Sequence, residues 1–229
     1  IVHNLVGLLH CCMAVYYAYI DRAPVFVMGA TGPLDTARRR PRTDWIHTAK
    51  VQGNAVRDYT KWDDQPHTID DVPESFSRAY GVMMTEPQGP VYMCYDASVL
   101  EQALPHPVPL PPVHAARVPS RMAAEPAALS RAAEMLVAAR NPVILADWTC
   151  HAPHGYTDLV ALAEALGAGV IDIGARLNFP NRHPLNMSLC AEAVLKDADL
   201  ILALDARDWE KVTTRLDSVT RETVSLVPS

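Results

Sequence analysis

The run D-R-A-P-V-F-V-M-G-A-T-G-P-L-D-T-A-R-R-R-P-R-T-D-W-I-H-T-A, from Asp21 to Ala49, decides how the chain is read. Val25 to Met28 is a short apolar segment fenced by Pro24 and Gly29. That pattern suits a fully buried strand of a parallel sheet and is too short for a useful helix. Gly29-Ala30-Thr31-Gly32-Pro33 then makes a turn-rich loop leaving the carboxyl end of the strand, the edge at which open parallel sheets gather ligands. Beyond it come Arg38, Arg39, Arg40 and Arg42 and the cluster Asp44-Trp45-Ile46-His47. Charge, indole and imidazole together make an odd plain connection, and the stretch reads as the edge of a site.

Upstream, Ile1 to Ile20 is apolar enough to suggest a membrane span, since about 20 residues cross a bilayer. His3, Asn4 and His10 would be expensive in lipid. A strand at Ile1 to Val2 followed by a buried helix from about Leu8 to Asp21 carries no such cost. Leu8, Cys12, Val15 and Tyr19 share one face, and Leu9, Met13 and Tyr16 widen the apolar surface, so the helix is expected to be covered on both sides. Downstream, Asn54 to Lys61 is strand-like and Trp62-Asp63-Asp64-Gln65-Pro66 breaks it. A helix follows from about Ile69 to Thr85, with Pro73 tolerated in its first turns. Gly89-Pro90 leads to a strand from Val91 to Tyr95. This alternation is that of an α/β layer.

Six of the 19 prolines fall between Ala103 and Ser120, a composition that resists both helix and sheet and makes a semi-rigid extended linker. His106 and His114 are expected to face solvent there. The alternation then restarts. Glu125 to Arg140 reads as a helix with Leu129, Ala132, Ala133, Leu136 and Val137 inward, and Val143 to Ala146 as a strand. Next come a helix from Tyr156 to Leu166, a strand from Val170 to Ile173, a helix from Ala191 to Lys196, and strands at Leu200 to Leu204 and Thr223 to Val227. The expected architecture is α/β, with two parallel-sheet Rossmann-like layers: an incomplete domain over residues 1–102, a linker over 103–120 and a truncated second domain over 121–229.

A formal net charge of −6 argues against nucleic-acid binding, and the basic cluster from Arg38 to Arg42 is too short to reverse it. Cys11, Cys12, Cys94, Cys150 and Cys190 show no Cys-x-x-Cys spacing and an odd total, so reduced thiols in a cytoplasmic protein are expected. No metal site is assigned, because His151 and His154 lack an acidic or cysteine partner nearby. No G-x-G-x-x-G occurs, and Gly29 with Gly32, like Gly167 with Gly169, reads as a turn.

The ordered set G-L-L-H-C-C-M-A-V-Y-Y-A-Y-I-D-R-A-P-V-F-V-M-G-A, T-D-W-I-H-T-A-K-V-Q-G, Y-T-K-W and P-Q-G-P-V-Y-M-C-Y-D resembles the latter half of the pyrimidine-binding domain of thiamine-diphosphate enzymes of the acetolactate synthase group. Residues 125–207 resemble the central domain that follows, through N-P-V-I-L-A, F-P-N-R-H-P-L and A-D-L-I-L-A-L-D-A-R. The resemblance implies a lyase or transferase that acts on a 2-oxo acid or acyl donor by decarboxylation or carboligation, with thiamine diphosphate and magnesium. It places the family's catalytic glutamate upstream of Ile1 and the magnesium and diphosphate ligands beyond Ser229, so this chain alone is expected to be inactive. It places Gly7 on the glycine that opens the helix beside the pyrimidine, His10 where many relatives have asparagine, and His47 on the active-site glutamine. Val6 replaces a usual proline. Asp147-Trp148 replaces the family's glycine cluster after the strand that ends at Ala146, so flavin is not expected. The parent enzyme is expected to be a homodimer or homotetramer in the cytoplasm, with a small-molecule substrate and no nucleic acid or membrane partner. Two other readings stand beside it: a free-standing nucleotide-binding Rossmann-type module with its ligand on the Gly29 to Gly32 loop, and a non-catalytic relative kept as a scaffold.

Overall fold

The computed structural model describes residues 1–104, 106–112, 118–120, 123–150, 152–174 and 176–208, and the backbone of 223–225. His114 and His151 lie outside the described residues. The chain divides into two compact units, Ile1–Arg121 and Met122–Ser229. Each is an α/β layer with a parallel sheet.

In the first unit, β1 (Phe26–Thr31), β2 (Trp62–Asp64) and β3 (Val91–Asp96) pair in the order β1-β3-β2. The register sets Thr31 beside Asp96 and Asp64 beside Met93, so these strands finish at one carboxyl edge. The central strand β3 is almost wholly buried, which is why its sequence is apolar without alternation. Tyr92 and Cys94 pack under helix α1 (Val6–Ile20) with Leu8 and Val15. Val91 and Met93 turn to the other face, against Ala79 and Met83 of α3 (Val72–Met84). Each fully buried valine, leucine or methionine among them contributes about 1.5 to 3 kcal/mol. Two short helical turns, α2 (Thr43–Ile46) and α4 (Ala97–Leu100), follow strands β1 and β3.

Three local readings are corrected. Residues 54–61 form no strand; 3-10 turns occupy Gln52–Ala55 and Arg57–Tyr59, and the strand begins at Trp62. Local side-chain bonds favour the compact path: Thr60 donates to the Val56 carbonyl, Tyr59 to that of Ala55, and Arg57 to Asn54 and Asp63. Ile1 and Val2 are not a strand, although the Val2 amide donates to the Met28 carbonyl at 2.8 Å. Helix α1 is covered on one side only among the described residues, since Leu9, Met13, Tyr16 and Tyr17 are exposed. A helix apolar all round carries no sequence mark of which side meets the sheet.

The second unit has β4 (Pro142–Ala146), β5 (Gly169–Asp172), β6 (Leu200–Leu204) and β7 (Thr223–Ser225) in the order β5-β4-β6-β7. Helices cover both faces of β4. Ile144 and Ala146 pack with Leu159 and Ala163 of α6 (Gly155–Leu166), while Val143 and Leu145 pack with Leu195 of α7 (Ala191–Asp197). Helix α5 (Pro126–Ala138) buries Ala132 and packs Leu136 onto the core, but Leu129, Ala133 and Val137 are exposed, so the inward stripe is narrower than the expected one. Between Leu100 and Pro126 the described residues form neither helix nor strand. His106 there is half exposed yet meets Asp70 at 3.0 Å.

Candidate functional site

The carboxyl edge of β1 is built by a loop that folds back on the strand it leaves. The Thr31 hydroxyl donates to the Ala49 carbonyl at 3.1 Å, and the Gly32 amide to the His47 carbonyl at 3.5 Å. A β-carbon on Gly32 would stand 2.2 Å from the Thr48 hydroxyl and 3.2 Å from Asp44, so only glycine lets the two segments approach this closely. Asp44 is 1 % exposed. It receives the Arg40 amide and a two-pronged guanidinium at 3.1 and 3.2 Å, and those bonds hold its carboxyl below the usual carboxylate range. Arg39 donates to the Pro33 carbonyl, and Arg38 pairs with Asp35. Three of the four arginines are therefore tethers of the loop, which places α2 and delivers His47, half-buried, to the sheet edge.

A second segment reaches the same place. Leu5, ahead of α1, has φ 41° and ψ −64°, a positive-φ conformation that a residue with a bulky side chain seldom adopts. Its amide donates to Gln52 Oε1 at 3.1 Å. Gln52 is 1 % exposed, accepts also from the Tyr92 hydroxyl at 3.2 Å and donates from Nε2 to the Ala30 carbonyl at 3.0 Å. One buried amide thus ties the start of α1 to β1 and β3. The held loop sets His3 over Gly7, where a β-carbon would come within 2.9 Å of that of His3, and brings the His3 ring edge-on to His47, with centroids 4.9 Å apart at 71°.

Of the expected positions, Gly7 and His47 thereby meet through His3, whereas His10 is exposed on α1, three residues after Gly7. Sequence reasoning missed His3 and Gln52. In the sequence His3 is evidence only against a membrane span, and a lone glutamine between Val51 and Gly53 carries no signal of being a hub. Beside this edge lies a cavity of about 260 Å³ whose lining includes Leu34, Lys50, Arg57, Asp63, Asp64 and His67. Its carboxylates are engaged, Asp63 by Arg57 at 2.6 and 2.8 Å and Asp64 by the Ser75 hydroxyl. The edge offers the His47 imidazole as a group able to take part in proton transfer, next to a helix start whose glycine is covered by His3.

The glycines of the loop do not make a phosphate cradle. The missing β-carbon of Gly29 makes room for the Tyr92 hydroxyl, 2.6 Å from where that carbon would stand, and that of Gly32 for Thr48. In the second unit, the strand order turns outward from β4 to β5 on one side and to β6 on the other, the usual place of a nucleotide crevice. There Asp147 is 1 % exposed and accepts the amide and guanidinium of Arg207 at 3.0, 3.0 and 3.2 Å, with Arg207 stacked over Trp148 at 4.8 Å. Fully buried Asn178 donates to the Asp147 carbonyl at 2.6 Å and to Asp172 at 3.0 Å. Donors that a diphosphate would need are committed to the protein's own carboxylates. Among the described residues no group of three or more His, Cys, Asp or Glu side chains could hold a metal ion. No helix there is long and apolar enough to cross a membrane.

Residues 129–227 match the model of the thiamine pyrophosphate enzyme central domain. The probable 2-ketoarginine decarboxylase of Pseudomonas aeruginosa is 28% identical over 204 residues, 86% of this chain and 35% of the relative, so the chain spans about a third of that protein's length. The fold is that of benzoylformate decarboxylase from Polynucleobacter necessarius, with a TM-score of 0.74, 24% identity, and coverage of 99% of this chain and 41% of the other. A candidate thiamin diphosphate-dependent enzyme from Mycobacterium smegmatis gives a TM-score of 0.69 at 22% identity, covering 88% of this chain and 39% of that one. The likeness to thiamine pyrophosphate enzymes thus rests on the central-domain match over residues 129–227 and on a relative and structural neighbours that share the fold.

Proposed function

We propose that the chain is part of a thiamine-diphosphate-dependent lyase or transferase that decarboxylates or ligates a 2-oxo acid or acyl donor. Thiamine diphosphate supplies, when bound, the nucleophilic carbon and electron sink that such chemistry requires. The supporting observation is the convergence of Gly7 and His47, distant in sequence, on one sheet edge through His3. Gly7, whose bare backbone is covered by His3, opens α1 at the edge that the resemblance gives to the cofactor's pyrimidine, with His10 one turn further along the exposed side of the helix. His47 stands where it can give a proton to an oxygen that gains charge, or take one back. Magnesium and the diphosphate are assigned to segments other than the described residues, and the Asp147–Arg207 pair argues against flavin in the second unit. The whole enzyme is a cytoplasmic homodimer or homotetramer of the acetolactate synthase group on this reading.

The nucleotide-module reading is disfavoured because Gly29 and Gly32 serve internal packing. The scaffold reading is separated by assay. The enzyme containing this chain, incubated with a panel of 2-oxo acids, should release carbon dioxide only with thiamine diphosphate and a divalent cation present. No release from any member of the panel, with cofactor demonstrably bound, would favour the scaffold.

A further inference from the structure

We propose that His3 is a positioning residue for His47, holding its imidazole in the orientation the reaction uses; this rests on the proposed role of His47. Among the described residues no hydrogen bond reaches the His47 ring. Its backbone is fixed, the amide donating to the Thr43 carbonyl at 3.3 Å and the carbonyl accepting from Gly32, but nothing in that backbone fixes the side-chain torsions. The His3 ring does. It meets His47 edge-on at 4.9 Å, a preferred geometry for two flat rings and one that removes rotamers which would swing His47 away.

His3 is exposed, but the backbone on either side of it is held, Val2 by Met28 and Leu5 by Gln52. The His3 β-carbon rests over the bare backbone of Gly7, and the segment that carries it turns through Leu5, whose positive-φ conformation is kept by the bond to buried Gln52. A non-glycine residue in that conformation costs on the order of 1 kcal/mol or more, and the fold accepts the cost where it sets His3 against His47. The series runs from the Gln52 side chain through the Leu5 backbone and the His3 ring to His47, and only the last faces the chemistry. Because the contact is one of packing, a flat ring at position 3 is what it requires, and the titration of His3 is not.

The test uses the enzyme containing this chain, with turnover of its best 2-oxo acid. His3→Ala should lower kcat by about ten- to a hundredfold while KM changes less than about threefold, the pattern of a lost transition-state orientation. His3→Phe, which keeps a ring edge, should restore kcat to within about threefold of the parent. In a His47→Gln background His3→Ala should have no further effect, because the two act as a unit. Unchanged kcat in His3→Ala, or additive losses in the double variant, would overturn the proposal. A separate arm needs no activity: in the 229-residue chain, the His47 ring-proton resonance should move when His3 becomes Ala and stay near its place when it becomes Phe. No movement would show that His3 does not hold the ring. If the resonance moves but His47→Gln leaves turnover intact, it is the catalytic reading of His47 that fails.

Discussion

Replacing Gln52 by Leu removes the amide that ties three segments together while keeping a similar volume. Three partners are orphaned: the Leu5 amide at 3.1 Å, the Ala30 carbonyl at 3.0 Å and the Tyr92 hydroxyl at 3.2 Å. Tyr92 is fully buried and bears the whole desolvation penalty, whereas Leu5 and Ala30 are half-buried and can recover part of theirs from water. At about 1 to 3 kcal/mol for a buried unsatisfied group, and with some return from burying the leucine, the net loss is about 3 to 4 kcal/mol. That is a large share of the roughly 5 to 15 kcal/mol a domain possesses. Hydrogen exchange read by mass spectrometry across a urea series would follow each unit by its own peptides. Peptides from residues 1–100 should lose protection at lower urea in Gln52→Leu, and those from 126–208 should not change. A shift of the first unit below about 0.5 kcal/mol would refute the idea that Gln52 is a structural hub.

Gly32→Ala should destabilise the first unit by about 1 to 3 kcal/mol, since its β-carbon meets Thr48 and Asp44; an unchanged thermal midpoint would count against the close approach. Asp44 is held below the usual range by Arg40, and Asp199 by the amides of Arg140 and Asn141. Their folded values lie under the unfolded ones, so their stabilisation is complete above the ordinary aspartate range near about pH 4 and is lost as pH falls through the depressed values. Melting temperature should therefore drop between about pH 5 and about pH 3, and a rise would contradict these assignments. The 229-residue chain by itself should bind thiamine diphosphate poorly even with magnesium, and tight, magnesium-dependent heat in calorimetry would show that the diphosphate site had been misplaced. The enzyme containing the chain should purify without flavin absorbance; a stoichiometric yellow cofactor would show that Asp147 and Arg207 can part.

The buried strands were legible because their apolar runs are short and fenced by Pro and Gly, and Leu200 to Leu204 lies where the sequence puts it. The 54–61 segment was not, because hydroxyl and guanidinium bonds to nearby carbonyls and carboxylates, invisible to a pattern of apolar residues, coil it into 3-10 turns. At the site, the glycine and imidazole positions could be read only through a resemblance. The arginine loop reads in the sequence only as an odd, charged site edge, and its internal role depends on the burial of Asp44, which no local pattern announces. His3 and Gln52 were out of reach for the same reason: their partners lie in other segments and come together only in the fold.

The central claim is that His47 handles a proton at the reacting centre, and His47→Gln in the enzyme containing this chain tests it most directly. Thiamine diphosphate affinity should be kept, while turnover of a 2-oxo acid falls by roughly ten- to a thousandfold and the pH profile of kcat/KM changes shape, as expected when a proton-transfer group is lost. Turnover and pH profile identical to those of the parent enzyme, in a variant that folds and binds cofactor normally, would leave His47 a packing residue and contradict the account.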